Sequence, residues 1–109
     1  MSIATIEIQP RVEIIEFHDN NLTAKLKDGR TVAVPLSWYP RLTHAAKEEL
    51  AEWRVFEDSE GRDILFWENL DELIPVIALL VGVPSRESQR SIVRWLENRQ
   101  RALAFTGEK

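Results

Sequence analysis

The chain has no cysteine among its 109 residues, and this absence removes three kinds of chemistry together. Without thiols there are no disulfide bonds, no thiolate zinc ligands and no cysteine nucleophile. Histidine is almost as scarce, because only His18 and His44 occur, and nothing pairs them at the spacing of metal ligands. The four glycines form no glycine-rich phosphate loop. We therefore expect no metal, no cofactor and no enzymatic activity.

Long apolar runs are also missing. The longest apolar-dominated stretch, residues 73–83, is too short for the roughly 20 residues of a membrane-spanning helix. The first residues lack the basic segment and apolar stretch of a secretory signal. The composition, with 44% hydrophobic and 29% charged residues, is that of an ordinary globular domain. We expect a soluble cytoplasmic protein of bacterial type.

The charge is unevenly divided along the chain. Residues 1–83 hold 8 basic and 15 acidic side chains, a net charge of −7. Residues 84–109 hold 6 basic and 3 acidic side chains, a net charge of +3. Because a polyanion is attracted to a basic surface and repelled by an acidic one, any nucleic-acid contact is expected at the C-terminal end.

Alternation of apolar and polar residues predicts an antiparallel meander near the start of the chain. β-Branched residues dominate residues 3–17, with an interruption at Pro10, and residues 22–26 alternate cleanly. Asp28-Gly29 is typical of a tight hairpin turn into a third strand at residues 31–35.

A helix and a second hairpin are predicted next. Thr43 is placed to cap a helix over residues 44–53, whose apolar side chains recur on one face. Residues 54–56 and 63–67 predict two further antiparallel strands around a polar turn. This order predicts an α+β fold, in which one helix packs on a small antiparallel sheet.

Aromatic residues are expected in the core of this domain. Trp38, Tyr39, Trp53 and Trp67 suit core packing better than a ligand pocket, because small domains depend on large aromatic side chains for buried area. Residues 40–42 are interpreted as a structural bend, with an exposed recognition turn as the alternative.

The apolar run over residues 73–83 predicts a buried helix with Pro75 in its first turn. Asp71 and Glu72 precede it, and acidic groups are favourable near the positive end of a helix. Two domains are therefore expected: a sheet domain over residues 1–68 and a helical tail over residues 69–109.

A second, basic helix is predicted after the turn at residues 82–85, with Ser85 as its cap. At 100° per residue, its arginines form one narrow stripe and its apolar residues lie on the opposite side. Two helices joined by a short turn containing glycine, the second of them basic, predict a helix-turn-helix that binds duplex DNA. The residues predicted to contact DNA are Ser85, Arg86, Gln89, Arg90, Arg94 and Arg101.

The same stripe has a second interpretation as a solvated helix face. Glu97 lies inside it, four residues before Arg101, which is a favourable spacing for an ion pair. The apolar side of the helix also needs a partner, and a second copy of the chain would supply one in a two-fold homodimer. The residues assigned to this dimer interface are Ile92, Trp95, Leu96 and Leu103.

Several short motifs occur together over about residues 12–82: Asp28-Gly29-Arg30, Pro35-Leu36, Trp38, Pro40-Arg41-Leu42, Ala45, Trp53, Trp67, Asp71-Glu72, Ile74 and Leu79-Leu80. In combination they resemble a family of small bacterial proteins known as domain of unknown function 2442. The resemblance implies a small α+β domain and supplies no catalytic residues.

The tail resembles, in part, the helix-turn-helix of phage-repressor-like proteins. Ala78 and Gly82 have the spacing of that motif, and residues 83–85 resemble its turn. The next buried aliphatic residue arrives only at Ile92, which lengthens the second helix. This similarity of the tail implies transcription regulation. Some members of the 2442 family look like partners of small toxin-like proteins, which implies an antitoxin-like role in which the acidic sheet domain holds a small basic partner. The alternative is an interaction or oligomerisation module that does not bind DNA.

Overall fold

The computed structural model describes the backbone of residues 10–107 and the side chains of residues 10–102. The predicted first meander is confirmed, although residues 3–9 of its predicted first strand lie outside the described residues. Asp19 and Asn20 form the first turn with positive φ angles of 51° and 66°, as a two-residue hairpin requires. Its strands are β1 (Val12–His18), β2 (Asn21–Leu26) and β3 (Thr31–Pro35).

A second antiparallel sheet follows, so the structure has two small sheets rather than the single one predicted. The predicted hairpin at residues 54–67 is confirmed as its first two strands. In the turn, the Asp58 carboxylate accepts backbone hydrogen bonds from Glu60 and Arg62, both at 2.9 Å. Its strands are β4 (Arg54–Glu57), β5 (Asp63–Trp67) and β6 (Glu72–Pro75).

Strand β6 occupies the start of the apolar run that was predicted as a helix. Ile74 pairs with Leu65, and Glu72 pairs with Trp67, across the β5–β6 ladder. A short apolar run fits a buried strand or a buried helix equally well, and here the pairing with β5 decides. The prediction that Glu72 marks a helix entry is therefore wrong. The predicted domain boundary after residue 68 falls between two strands of one sheet.

The predicted helix over residues 44–53 is largely wrong, because only a single helical turn lies within that range and a separate turn precedes it. Ala46 is extended, with ψ at 160°, and its N–H donates to the Glu49 carboxylate at 2.9 Å. Thr43 ends the first turn instead of capping a longer helix, and its hydroxyl donates to the Leu36 carbonyl at 3.0 Å. After a 3-10 turn at Leu36–Trp38, the two helices are α1 (Pro40–Thr43) and α2 (Lys47–Leu50).

Two more helices follow among the described residues, α3 (Val76–Val81) and α4 (Gln89–Gly107). Pro75 stands just before α3 rather than in its first turn. Gly82 ends α3 with φ at 77°, a left-handed conformation that glycine adopts without a Cβ clash. No helix of the described residues is both long and apolar enough to cross a membrane.

One core joins both sheets and α3, which confirms the α+β class. The Trp67 ring meets Phe17 of the first sheet edge-on, at 6.4 Å between centroids, and its indole N–H donates to the Leu50 carbonyl at 3.0 Å. Each fully buried large apolar side chain contributes about 1.5–3 kcal/mol to folding. Those with the least exposure are Leu22, Leu42, Leu65, Trp67, Leu70, Ile74, Val76 and Leu79.

Candidate nucleic-acid interface

The segment between α3 and α4 is held against the body of the protein. The Tyr39 hydroxyl donates to the Val83 carbonyl at 3.1 Å, and the Ser85 N–H donates to the Trp38 carbonyl at 3.0 Å. These bonds keep residues 82–88 out of either helix. A helix-turn-helix has a turn of about three or four residues, whereas seven residues separate these two helices. The predicted helix-turn-helix pair is not found.

The start of α4 also differs from the prediction. The Ser88 hydroxyl accepts a hydrogen bond from the Ser91 N–H at 3.1 Å, which is the bond of a helix cap. The hydroxyl of Ser85 accepts from the Glu87 N–H at 3.1 Å and caps no helix. The predicted cap at Ser85 is therefore wrong, and Arg86 precedes the helix rather than lying on it.

Arg41 connects this segment to the body, a role that was not predicted for it. Its guanidinium donates to both carboxylate oxygens of Glu87, at 2.5–3.0 Å, and to the carbonyls of Leu70 at 3.3 Å and Asp71 at 3.0 Å. Hydrogen bonding from Arg41 lowers the pKa of Glu87 below its usual range. The two residues are 46 positions apart, so no local sequence signal could have paired them.

Trp95 docks the first half of α4. Its ring lies between two guanidinium groups, with Arg41 at 5.2 Å and Arg99 at 4.8 Å from the ring centroid. Arg99 also donates to both carboxylate oxygens of Glu49 at 3.0 Å. Cation–π contacts of this kind contribute roughly 0.5–2 kcal/mol each. Together with the buried side chain of Ile92, they fix one side of α4 to the body.

Two of the residues predicted to form a dimer interface are packed within a single molecule. Ile92 is buried by its own chain, and Trp95 packs against the core, so both are already occupied within one molecule. Leu96 remains half-buried beside them. The side chain of Leu103 lies outside the described residues.

The arginines on the other side of α4 are exposed. Arg90 and Arg94 are one helical turn apart, and Arg86 precedes them. None of the three forms an ion pair with another residue that the structure describes. Arg101 donates to the Asn98 side chain at 2.9 Å, not to Glu97 as the spacing favoured. We call Arg86, Arg90, Arg94 and Arg101 the arginine ridge.

The ridge contrasts with the arginines of the body. Arg11 contacts two carboxylates, of Glu57 at 2.6 Å and of Asp63 at 2.8 Å. The guanidinium groups of Arg30, Arg41 and Arg62 likewise contact carboxylates, whereas Arg54 forms no ion pair with another described residue. On α4 itself, Arg99 contacts Glu49. The predicted contact residue Gln89 is exposed at the first position of α4, whereas Ser85 is half-buried by its bonds to the body.

A cavity of about 420 Å³ lies beneath the segment between α3 and α4. Glu72 lines it, and burial raises the pKa of this carboxyl to about 7, while Arg41 opposes that shift and Glu87 adds to it. Burial, with a smaller effect of Glu72, raises the pKa of Tyr39 to about 12. The cavity thus holds a carboxyl group that changes charge near neutral pH.

Comparison with known proteins places the body of the chain in a family. Residues 12–85 match the family described as "Protein of unknown function (DUF2442)", and the chain belongs to that family. This confirms the resemblance seen over about residues 12–82. The ridge and α4 lie outside the matched residues, and the similarity of the tail to phage-repressor-like proteins gains no support.

A solved structure has the same fold. It is the crystal structure of a protein of unknown function from Rhodospirillum rubrum ATCC 11170, which is 23% identical in sequence and has a TM-score of 0.58. The match covers 75% of this chain and 98% of that chain. No curated protein matches this chain.

Proposed function

We propose that the chain is a non-enzymatic DNA-binding protein that contacts duplex DNA through the arginine ridge. The observation that carries this proposal is the unpaired state of Arg86, Arg90 and Arg94 among the described residues, beside a body whose described arginines, except Arg54, contact carboxylates. Like charges one helical turn apart repel each other, so an anion bound to Arg90 and Arg94 would relieve that repulsion.

The supporting geometry favours phosphate contacts over base reading. From Arg90 to Arg101 the helix rises about 16 Å, and at 100° per residue the arginines at 90, 94 and 101 lie within about 40° of one another. The docking of Trp95 and Ile92 holds the opposite side of α4 on the body, so the ridge projects from a fixed support. The helix-turn-helix that commonly places a recognition helix in the major groove is not found among the described residues.

The test is the salt dependence of binding to a short duplex. Each neutralised phosphate contributes about −0.9 to the slope of log K against log salt. We expect measurable affinity at low salt, and Arg90→Gln with Arg94→Gln should reduce the magnitude of the slope by about 2. The matched control is Lys27→Gln with Arg30→Gln, which removes two positive charges from the first sheet and should leave the slope almost unchanged.

Two results would overturn the proposal. One is the absence of duplex binding at low salt by a protein whose circular dichroism is native. The other is equal loss of affinity in the ridge variant and in the control variant, because the effect would then reflect net charge rather than the ridge.

A second candidate is a protein-interaction module that forms a homodimer or binds a small basic protein in an antitoxin-like role. Val93 is 43% exposed on α4, and Leu96 is half-buried beside it. The net charge of −7 on residues 1–83 would favour a basic partner. This candidate predicts that Val93→Lys with Leu96→Lys abolishes association measured by sedimentation while DNA binding is absent in every variant.

A further inference from the structure

Among the described strands, three of the four sheet edges carry a feature that disfavours further strand pairing. In β1 a bulge interrupts the register between Val12 and Ile14. β3 ends in Pro35 and β6 ends in Pro75, and proline has no N–H to donate to a neighbouring strand. Bulges and prolines are the usual means by which proteins protect sheet edges. β4 has neither feature.

β4 is also exposed along its whole length. All four of its residues are exposed, including Val55 at 40% and Phe56 at 42%, and β4 pairs with no described strand other than β5. Arg54 forms no ion pair with another described residue. An exposed edge with free backbone groups and apolar side chains is a template for another strand.

We propose that β4 pairs antiparallel with β4 of a second copy of this chain, which joins the two second sheets into one continuous sheet. The direction of the backbone groups defines the contact. The Asp58 N–H donates to the Arg62 carbonyl at 2.9 Å, so the backbone of Asp58 faces β5. Successive strand residues alternate, so Val55 and Glu57 point their N–H and C=O groups to the free edge.

The side chains select one register. With Phe56 on the two-fold axis, Val55 exchanges hydrogen bonds with Glu57 of the second copy, and about four such bonds form. Arg54 then lies opposite Asp58 of the second copy, whose carboxylate also contacts Arg62 of its own turn at 2.9 Å, and opposite charges in that position are favourable. A register centred on Glu57 would place two carboxylates opposite each other, and one centred on Val55 would place Arg54 opposite Phe56.

The apolar surface is continuous across this axis. Phe56 meets Phe66 edge-on at 5.4 Å, and Phe66 pairs with Leu73, which is 61% exposed. The two Phe56 rings would meet at a pair without backbone hydrogen bonds, where Cα atoms approach to about 4.5 Å. The proposal thus covers exposed aromatic surface on both copies. It is independent of the arginine ridge.

The absence of cysteine makes a direct test possible. Phe56→Cys places the only thiol of each copy at the axis, within reach of a disulfide. Val55→Cys is the matched control, with similar exposure on the same strand. In the proposed register, the Cα atoms of residue 55 in the two copies lie about 8 Å apart, which is too far for a disulfide. Under mild oxidation, we expect Phe56→Cys to form covalent dimer at least ~10-fold faster than Val55→Cys.

A second variant separates pairing from folding. Val55→Pro removes an N–H that faces the free edge, and no β4–β5 hydrogen bond depends on that group. We expect Val55→Pro to sediment as a monomer at concentrations where the unaltered chain dimerises, with native circular dichroism. A monomeric unaltered chain, a dimer unaffected by Val55→Pro, or equal cross-linking at positions 55 and 56 would each overturn the proposal. None of these outcomes bears on DNA binding by the ridge.

Discussion

The carboxyl group of Glu72 is largely buried, and it lies beside the segment that connects α3 to α4. It lies in β6 and lines the same cavity as Tyr39, Arg41 and Glu87. Burial raises its pKa from the ordinary 4.5 to about 7; Arg41 lowers it, and the charges of Glu87 and Asp71 raise it further. The folded protein therefore favours the protonated form of Glu72.

This shift predicts a specific pH dependence of stability. Between about pH 4.5 and 7 the folded state keeps a proton that the unfolded state has released, so the free energy of unfolding falls as pH rises. The full shift corresponds to about 3 kcal/mol, and solvent screening of this partly exposed carboxyl reduces the expected loss to about 2–3 kcal/mol, which levels off above pH 7. Glu72→Gln should remove this decline, as measured by urea unfolding at several pH values.

Glu13→Gln, which removes an exposed carboxylate from β1, is the control for the loss of one charge. Glu49 and Glu87 act in the opposite sense, because their lowered pKa values make stability fall as the pH drops below the ordinary pKa of 4.5. Their effect on stability therefore lies outside the pH range, about 4.5 to 7, in which Glu72 acts. If Glu72→Gln and the unaltered chain keep parallel stability curves from pH 4.5 to 7, the coupling of Glu72 to folding is refuted.

Single residues also show where sequence reasoning ends. The buried aromatic residues Tyr39 and Trp67 were predictable, because large apolar side chains in a small domain are needed in its core. The role of Arg41 was not, because its partners Glu87 and Trp95 come from α4 and the segment before it. Only the folded chain brings these three side chains together.

At the scale of elements, locally encoded features were predicted well. The hairpin turns at Asp28-Gly29 and at residues 58–61 follow from nearby turn residues, and the structure confirms both. The assignment failed at residues 72–81, where one apolar run supplies both β6 and α3. The run divides into a strand and a helix because its first residues pair with β5. The local spacing of apolar residues carries no information about that pairing.

The start of α4 provides a test at this scale. Ser88 caps the Ser91 N–H, so Ser88→Ala should destabilise the first turn of α4 by about 1 kcal/mol. We expect hydrogen exchange at the Ser91 amide to accelerate in Ser88→Ala. Ser85→Ala is the matched comparison and should leave that amide protected, since its hydroxyl accepts from Glu87 instead. Faster exchange in Ser85→Ala than in Ser88→Ala would instead support Ser85 as the helix cap.

The whole molecule consists of a family body and an added helix that lies on it. The family match ends at residue 85, and every residue of the main buried cluster lies before residue 80. The Rhodospirillum rubrum chain is covered almost completely by three quarters of this one, so the fold does not require a chain of this length. The helix α4 adds Ile92, Trp95 and Arg99 as contacts to a body whose core is already formed.

Truncation after Ser85 should consequently leave a folded body. The lost burial of Ile92 and the lost Arg41–Glu87 bonds should reduce the free energy of unfolding by about 2–4 kcal/mol, measured by urea denaturation. Arg41→Gln is the control: it should destabilise the full chain more than the truncated one, because Glu87 and Trp95 are absent from the latter. A truncated chain without cooperative unfolding, or an equal cost of Arg41→Gln in both lengths, would show that α4 belongs to the folding unit rather than resting on it.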